Sequence, residues 1–285
     1  MTTARFAVVG HPIGHTMSPF IHLRLFALAG IRAEYDVFDI PPENLLYEAE
    51  HSLAALDGYN LTIPHKSVII PTLAKMSEKA ALYRSVNTVR NGEERCGWTT
   101  DPFGFLHALQ AEQIPLSGSV TILGSGGVAR VFVFEAVLAG AAVTIAVREQ
   151  GLEQAAALCS AAKAIAPDAK ITVCTFPQLA AEKKPIDLLV NATPVGMFPN
   201  IACSPVGESV LSRTAAVYDA VYNPAETALM SAARANGSKV LGGMSMLVYQ
   251  AVESHRIWHG SQYEKAAVDE LIHDALQEMQ RKFNG

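Results

Sequence analysis

Polar side chains able to take part in proton transfer stand where an apolar run stops. Asn60, Thr62 and Lys66 surround the point at which Pro64 ends the strand predicted over Gly58–Ile63. A strand that stops in this way usually faces a cleft. A lysine in a cleft can act as a general base if burial or a neighbouring charge lowers its pKa, and such catalysis contributes about 10²- to 10⁴-fold. Taken alone, Lys66 is more often a solvated surface lysine.

A glycine-rich segment, Leu-Gly-Ser-Gly-Gly-Val-Ala-Arg, has the residues that bind a pyrophosphate group. It places Gly124, Gly126 and Ala129 at the three positions of a GxGxxG/A motif, between the strand predicted over Val120–Leu123 and the helix predicted over Val128–Ala139. The first glycine permits a tight turn, the second lets backbone N–H groups approach the ligand, and the helix N-terminus supplies partial positive charge. A glycine turn without a ligand is the alternative.

The next predicted strand, Ala142–Val147, ends in Arg148 and Glu149. An arginine at this place suits the 2′-phosphate of NADP, whereas an acidic residue suits the free 2′-hydroxyl of NAD. The sequence therefore favours NADP without excluding NAD. An ordinary solvated pair of surface charges is the other interpretation.

Strand and helix patterns alternate along the chain, which predicts an α/β layer architecture. Ser18 is expected to be the N-cap of the first helix, Pro19 its first residue and Gly30 its left-handed end. The first predicted elements are strand Phe6–Gly10, helix Ser18–Ala29, strand Glu34–Asp39, helix Pro42–Ala54 and strand Gly58–Ile63.

The remaining elements begin with a hairpin and continue with a second βαβ pattern. The strands of the hairpin, Ser85–Arg90 and Arg95–Thr99, flank an Asn91-Gly92 pair of the kind favoured at turns with positive φ. A helix is expected from Asp101, and Gly140 is expected to stop the helix of the βαβ unit. Further predictions are strands Ile171–Thr175, Leu188–Asn191, Ala216–Ala220 and Lys239–Leu241, then helix from Met244 to the end.

Composition limits the classes of function. The chain has 285 residues, of which half are hydrophobic, and 22 basic against 27 acidic side chains give a formal charge of −5. Because the sequence has no basic run, no nucleic-acid partner is expected. No signal peptide and no membrane span are expected, and four scattered cysteines indicate neither disulfides nor a metal site. These features favour a cytoplasmic enzyme.

Seven segments, in order over nearly the whole chain, resemble motifs of the shikimate dehydrogenase family. Asn60–Lys66 resembles NVTIPHK, with Leu61 in place of valine. The others are Gly10–Pro19, similar to GxPIxHSLSP, Ser85–Thr88, similar to AVNT, Gly97–Asp101, similar to GxNTD, Asn191–Met197, similar to NATPxGM, and the segments Asp219–Pro224 and Gly243–Ala251.

The resemblance implies roles for individual residues. Lys66 and Asp101 would be the acid/base pair at a ring hydroxyl, because removing hydride from a carbinol also requires the hydroxyl proton to leave. The implied substrate-binding residues are Thr16 and Ser18, at the carboxylate, with Thr62, Asn87, Tyr222 and Gln250. The implied cofactor-binding residues are Gly124, Ser125, Gly126, Gly127, Val128, Ala129, Arg148, Thr193, Val221, Gly243 and Met246.

Plainer interpretations accompany several of these residues. Asp101 could be a helix N-cap, since Pro102 follows it. Met244 and Met246 are of the type that more often fills a core. His15 and His65 are expected to pack or to form hydrogen bonds, because the chemistry needs no imidazole.

The sequence departs from the family pattern at positions that bear on specificity. Thr16 replaces the first serine of the loop, Thr99 replaces the asparagine of GxNTD, and Arg84-Ser85 replaces Gly-Ala. Val147 and Glu149 replace the asparagine and threonine of Asn-Arg-Thr. These changes leave the reaction class intact but affect the fit of the ring acid and the preference for NADP.

The expected architecture is α/β with two domains and the active site in the cleft. Residues 1–101, completed by a helical return over 242–285, would form the substrate-binding and catalytic domain, and residues 102–241 a Rossmann-like NAD(P)-binding domain. The implied activity is reversible reduction of 3-dehydroshikimate to shikimate, in chorismate and aromatic amino acid biosynthesis. The alternatives are quinate or a related ring acid as substrate, and a non-catalytic cofactor-binding regulator. A homodimer is a further expectation.

Overall fold

The computed structural model describes residues 3–14 and 16–283, so the prediction for His15 lies outside the described residues. The strands are β1 Ala4–Gly10, β2 Ala33–Asp39, β3 Gly58–Leu61, β4 Lys75–Met76, β5 Thr88–Arg90, β6 Cys96–Trp98, β7 Ser119–Leu123, β8 Ala142–Val147, β9 Ile171–Thr175, β10 Ile186–Asn191, β11 Thr214–Asp219 and β12 Lys239–Gly242. The α-helices are α1 Ser18–Leu28, α2 Leu45–Glu50, α3 Glu78–Tyr83, α4 Asp101–Ala111, α5 Gly127–Leu138, α6 Leu152–Ile165, α7 Phe176–Ala181, α8 Glu208–Leu211, α9 Ala228–Ala235, α10 Gly243–His259 and α11 Lys265–Phe283.

The chain divides into two compact units. Unit 1 comprises Met1–Gly104 and Leu247–Gln277, and unit 2 comprises Phe105–Met246 and Glu278–Gly285. Unit 1 therefore combines the first part of the chain with a segment near its end.

The sheet of unit 1 is mixed, with strand order β2-β1-β3-β5-β6-β4. β1 is parallel to both β2 and β3, whereas β5 is antiparallel to β3 and to β6. Alternate residues of β1 enter two different cores: Ala7 and Val9 pack in one, while Phe6 and Val8 pack in another with Phe26. Because side chains of a strand alternate between faces, β1 is covered on both sides.

The sheet of unit 2 is parallel throughout, with strand order β12-β11-β10-β7-β8-β9. Read from the other edge and numbered within the unit, this is the Rossmann order 3-2-1-4-5-6, and the order reverses between β7 and β10. The α/β fold expected from the sequence is confirmed. Ala142–Val147 and Ile171–Thr175 were predicted with the bounds that the structure has.

Ser18 is not the N-cap of α1, contrary to expectation. Met17 occupies the cap position, Ser18 is the first helical residue, and Pro19 follows it. The hydroxyl of Thr16 accepts the Ser18 N–H at 3.2 Å, so the neighbouring threonine satisfies that donor. Gly30 has φ 66° after the helix, as predicted.

Two other element predictions, a helix and a hairpin, were wrong in part. The single helix expected over Pro42–Ala54 is a 3-10 turn, the short helix α2 and a second 3-10 turn. The predicted hairpin exists, but residues 91–95 join β5 to β6, and neither Asn91 nor Gly92 has a positive φ. The Asn91 amide instead donates to the carbonyls of Leu53 and Leu56, at 2.7 and 2.8 Å.

The C-terminal part is not one continuous helix. α10 ends at His259, Gly260 has φ 73°, and α11 begins at Lys265. A residue with positive φ ends a helix, and glycine adopts it without steric cost.

Candidate functional site

Lys66 and Asp101, 35 positions apart in the chain, meet within unit 1. The Lys66 Nζ lies 2.7 Å from the Asp101 Oδ2, with side-chain exposures of 29% and 7%. A carboxylate this buried is stabilised by charge-assisted hydrogen bonds, and a partly exposed ammonium group beside it can still reach a ligand. The pair is therefore able to hold and to transfer a proton at one position.

Asn87 supports the second oxygen of this carboxylate. Its Nδ2 donates to Asp101 Oδ1 at 3.1 Å and lies 3.0 Å from the Thr100 hydroxyl, while its Oδ1 accepts the Thr100 N–H at 2.8 Å. Because a backbone N–H can only donate, the amide orientation is fixed and Nδ2 must face Asp101. Asp101 thus has one partner at each oxygen.

Backbone hydrogen bonds hold the segment that carries Lys66. Thr62 N–H donates to Val9 O at 2.9 Å, and Val86 N–H donates to Lys66 O at 2.7 Å. Asp101 is the first residue of α4, and its carboxylate contacts side chains of other segments. Asp101 therefore combines a position at a helix start with side-chain contacts to Lys66 and Asn87.

The other predicted substrate-binding residues of unit 1 are partly accessible. Thr16, Ser18, Thr62 and Gln250 all have intermediate burial. The backbone carbonyl of Gln250 accepts a hydrogen bond from Ser254 at 3.0 Å. None of these four has a described hydrogen bond to Lys66 or Asp101.

His65 faces away from this chemistry. It is fully buried, and its Nε2 lies 2.8 Å from the carbonyl of Ile40. Burial lowers the pKa of His65, and the hydrogen bonds with the backbone oppose that shift. The expectation of a packing and hydrogen-bonding residue matches these contacts.

In unit 2 the glycine-rich turn has the backbone that the motif requires. Gly124 has φ 102°, and its N–H donates to Ala146 O at 2.8 Å. A Cβ added at Gly124 would lie 3.0 Å from Thr193, whereas one added at Gly126 or Gly127 would meet nothing within 4 Å. The space over the N-terminus of α5 is thus open at the two glycines where a pyrophosphate needs backbone access.

Other predicted cofactor residues surround this turn or follow the next strand. Ser125 donates to Gln154 at 3.2 Å, Ala129 is fully buried and Val128 is partly buried. Arg148 is exposed at the end of β8, and its guanidinium group has no hydrogen bond or ion pair with any residue that the structure describes. It is available to an anionic ligand.

Asn191 and Asp219 order the ends of β10 and β11. Asn191 Oδ1 accepts from the hydroxyl and the N–H of Thr193, at 2.7 and 3.0 Å, and its Nδ2 donates to Asp219 at 2.9 Å. Asp219 also accepts the Val221 N–H at 3.0 Å and the Thr227 hydroxyl at 2.6 Å. These two residues hold the segments that carry Thr193 and Val221.

Asp219 is also buried enough for its ionisation to change. Burial raises its pKa, and the three hydrogen bonds from Thr227, Val221 and Asn191 oppose that effect. Asn191 and Asp219 belong to two of the family-like segments, but the sequence predicted no functional role for either residue. A polar residue ending a buried apolar strand is the signal that could have found them.

Three remaining predicted residues lie near these strand ends or in the core of unit 2. A Cβ at Gly243 would lie 2.3 Å from Ala220 O, so the start of α10 approaches that backbone closely. Met246 is 5% exposed and its sulfur accepts from the Tyr218 hydroxyl at 3.1 Å, as in the core interpretation. Burial raises the pKa of Tyr222.

Within residues 3–14 and 16–283, no group of three or more His, Cys, Asp or Glu side chains is arranged to hold a metal ion. No helix in the same part of the chain combines the length and apolar character needed to cross a membrane.

A Rossmann sheet with an open glycine turn is typical of dinucleotide-binding proteins, and a lysine–aspartate pair in the same chain can exchange the proton that a nicotinamide-dependent dehydrogenase must move. The model of the shikimate dehydrogenase substrate-binding domain matches residues 8–89. The shikimate dehydrogenase (NADP(+)) of Caldanaerobacter subterraneus subsp. tengcongensis is 37% identical over 278 residues, covering 95% of this chain and 97% of that protein. The chain belongs to the shikimate dehydrogenase family.

Solved structures agree over nearly the whole length. Shikimate 5-dehydrogenase from Thermus thermophilus, in complex with NADP(H) and shikimate, is 33% identical with a TM-score of 0.84, covering 96% of this chain and 100% of that one. The ligand-free 5-ketofructose reductase of Gluconobacter sp. strain CHM43 is 28% identical with a TM-score of 0.80, covering 96% and 99%. The fold is therefore shared by proteins named for different carbonyl substrates.

Proposed function

We propose that the chain is an NADP-dependent shikimate dehydrogenase, which reduces 3-dehydroshikimate reversibly to shikimate. The observation that supports this activity most strongly is the 2.7 Å contact between Lys66 Nζ and Asp101 Oδ2 in unit 1. The choice of substrate and cofactor is supported by membership of the family and by 37% identity to a protein named shikimate dehydrogenase (NADP(+)).

Lys66 and Asp101 share the proton chemistry. In reduction, the Lys66 ammonium group donates a proton to the oxygen of the ring carbonyl as it becomes a hydroxyl, and in oxidation the amine removes that proton. Asp101 orients the ammonium group and accepts a hydrogen bond from a ring hydroxyl, while Asn87 keeps the carboxylate in place. When bound, the nicotinamide cofactor supplies or takes up the hydride.

The residues of unit 2 suit the cofactor. Gly126 and Gly127 leave open space at the N-terminus of the twelve-residue helix α5, and backbone N–H groups there would bind the pyrophosphate. Ser125, Val128, Ala129, Thr193, Val221, Gly243 and Met246 complete this proposed site. Arg148 would bind the 2′-phosphate of NADP, with NAD as the weaker cofactor.

The two units would divide the work. We assign substrate binding and catalysis to unit 1, where Thr16 and Ser18 would hold the carboxylate and Thr62, Asn87 and Gln250 the ring hydroxyls. Unit 2 would bind NADP, and Tyr222 stays a predicted substrate-binding residue. Besides the cofactor, the proposed partner is a small ring acid; a homodimer and a cytoplasmic location are further proposals, testable by light scattering and by cell fractionation.

The activity is tested by a four-way assay of purified protein. Shikimate or quinate is combined with NADP or NAD, and formation of reduced nicotinamide is followed by absorbance. We expect the highest kcat/KM with shikimate and NADP. Lys66→Ala should lower kcat by about 10²- to 10⁴-fold, the usual contribution of a general acid/base.

Lys75→Ala is the matched control, because this lysine of β4 is 67% exposed and pairs with Glu94. Its activity should equal that of the wild type. A preference for quinate would replace the proposed substrate, and cofactor binding without turnover in any combination would favour a regulator. Full activity of Lys66→Ala would refute the role of the lysine.

A further inference from the structure

A tyrosine that no sequence motif singled out contacts the residues behind the lysine–aspartate pair. Tyr35, on β2, is buried, and its hydroxyl lies 2.7 Å from Asn60 Oδ1 on β3. β2 and β3 lie on either side of β1 in the sheet, so the contact between Tyr35 and Asn60 passes over β1.

The direction of this hydrogen bond follows from the other contacts of Asn60. Its Nδ2 lies 3.1 Å from the carbonyl of Asn87, which can only accept, so the amide nitrogen must be on that side. The amide oxygen therefore faces Tyr35, and the tyrosine hydroxyl is the donor. Tyr35 thus satisfies the amide oxygen of Asn60 while the Asn87 carbonyl accepts from its nitrogen.

The Asn60 amide nitrogen also connects two other elements. It lies 3.1 Å from Thr88 Oγ1 on β5 and 3.1 Å from Ser254 Oγ on α10. Thr88 Oγ1 in turn lies 3.2 Å from Asn87 Oδ1, whose Nδ2 donates to Asp101. A series of polar contacts within hydrogen-bond distance therefore runs from Tyr35 through Asn60, Thr88 and Asn87 to the Asp101 carboxylate.

Burial favours the protonated form of the Tyr35 hydroxyl. Burial raises the pKa of Tyr35 well above its ordinary value, and a hydrogen bond with the Ser18 side chain opposes that effect. A neutral phenol retains the proton that it donates to Asn60.

We infer that Tyr35 is a positioning residue of the active site, which acts through the Asn60 amide to hold Asn87 and the Asp101 carboxylate in place. This inference rests on the proposed function, because Asp101 is there assigned to the proton chemistry at the ring hydroxyl. Tyr35 itself need not touch the substrate.

Tyr35→Phe tests the inference by removing a single hydroxyl group. A buried acceptor left without its donor costs about 1–3 kcal/mol, so kcat/KM for the ring acid should fall about 5- to 150-fold. We expect a lower kcat together with a higher KM for the ring acid, and an unchanged Kd for NADP. A role in stability alone would lower kcat by reducing the folded fraction and leave KM unaltered.

Tyr59→Phe is the matched control. Tyr59 precedes Asn60 on the same strand and is fully buried, but its hydroxyl has no hydrogen-bond partner among the described residues. This variant should retain the wild-type kcat and KM. In an Asn60→Ala background, Tyr35→Phe should have no further effect on kcat/KM, because the tyrosine acts through the amide.

A second readout needs no turnover. In protein labelled with ¹⁵N-asparagine, the side-chain amide resonances of Asn60 and Asn87 should shift in Tyr35→Phe and stay in place in Tyr59→Phe. Unshifted resonances, or wild-type kcat and KM in Tyr35→Phe, would overturn the inference. Absence of shikimate turnover in the wild type would instead refute the proposed function, and the resonances would still decide the role of Tyr35.

Discussion

A cluster of buried histidines should make unit 1 unstable at mildly acidic pH. His22 on α1 is buried, with its Nδ1 3.1 Å from the Nε2 of His255 on α10 and its ring stacked on Tyr35 at 4.3 Å. His255 Nδ1 lies 2.7 Å from the hydroxyl of Tyr263. Burial, and the nearby His259, lower the pKa of His22 from 6.5 to about 3.

The sign of the effect follows from proton linkage. Above pH 6.5 neither the folded nor the unfolded state protonates His22, and the histidine does not weaken folding. Below that pH, His22 binds a proton in the unfolded chain but stays neutral in the folded chain until about pH 3. The free energy of unfolding therefore falls progressively between pH 6.5 and about pH 3. At about 1.4 kcal/mol per pH unit, His22 alone lowers the free energy of unfolding by about 2 kcal/mol between pH 7 and pH 5.

His255 adds to this loss with the same sign, since burial, then His22 and His259, lower its pKa well below the ordinary value. In His22→Phe the stacking on Tyr35 can persist, but one titrating group and one neighbour of His255 are gone. The variant should therefore lose at least about 2 kcal/mol less than the wild type between pH 7 and pH 5.

Urea unfolding followed by tryptophan fluorescence measures this difference. The chain has two tryptophans, Trp98 and Trp258, and both belong to unit 1, so the signal reports that unit. Trp258 also lies 5.4 Å from the His22 ring. Equal slopes of the free energy of unfolding against urea concentration would show that the wild type and His22→Phe expose similar surface areas on unfolding. The reasoning is refuted if His22→Phe loses as much stability between the two pH values as the wild type.

Three further predictions concern single residues. Arg148→Ala should raise the KM for NADP about 10- to 100-fold and leave that for NAD nearly unchanged, because only NADP offers the guanidinium a phosphate; equal effects on both cofactors in steady-state kinetics would contradict the assignment. Gly243→Ala should destabilise the protein by about 1–3 kcal/mol in thermal denaturation, because the added methyl group would lie 2.3 Å from Ala220 O; an unchanged melting temperature would count against so close an approach. Asn87→Ala should lower kcat/KM at least about tenfold, since Asp101 Oδ1 and the buried Thr100 N–H lose their partner; wild-type kinetics would show that Asn87 does not support the carboxylate.

Residue types that are close in the sequence were sufficient to predict the elements whose structure depends on short-range interactions. The glycine turn and β8 follow from short-range requirements for backbone freedom and for a buried apolar run. The helix expected over Pro42–Ala54 was wrong because apolar spacing alone does not show that the backbone tightens into 3-10 turns at both ends of α2. The cap of α1 was misplaced because two hydroxyl residues compete within three positions.

The candidate site shows the same division. Lys66 and Asp101 were found because their segments resemble family motifs. Their contact depends on the tertiary structure, and it was expected only because the resemblance implies it. The contact of Tyr35 with Asn60 joins residues 25 positions apart, and that of His22 with His255 joins residues 233 positions apart. No periodicity or local propensity records such distant pairs, so they appear only once the chain is folded.

The two-part composition of unit 1 has a consequence for how the chain is made. Synthesis proceeds from the N-terminus, and domains generally fold as their residues emerge. All strands of the unit 1 sheet precede Leu247–Gln277, the segment that carries His255 and Trp258, and are synthesised before it. A nascent chain interrupted before Leu247 would expose the faces of Phe6 and Phe26 that Trp258 covers, making it a substrate for chaperones or proteases.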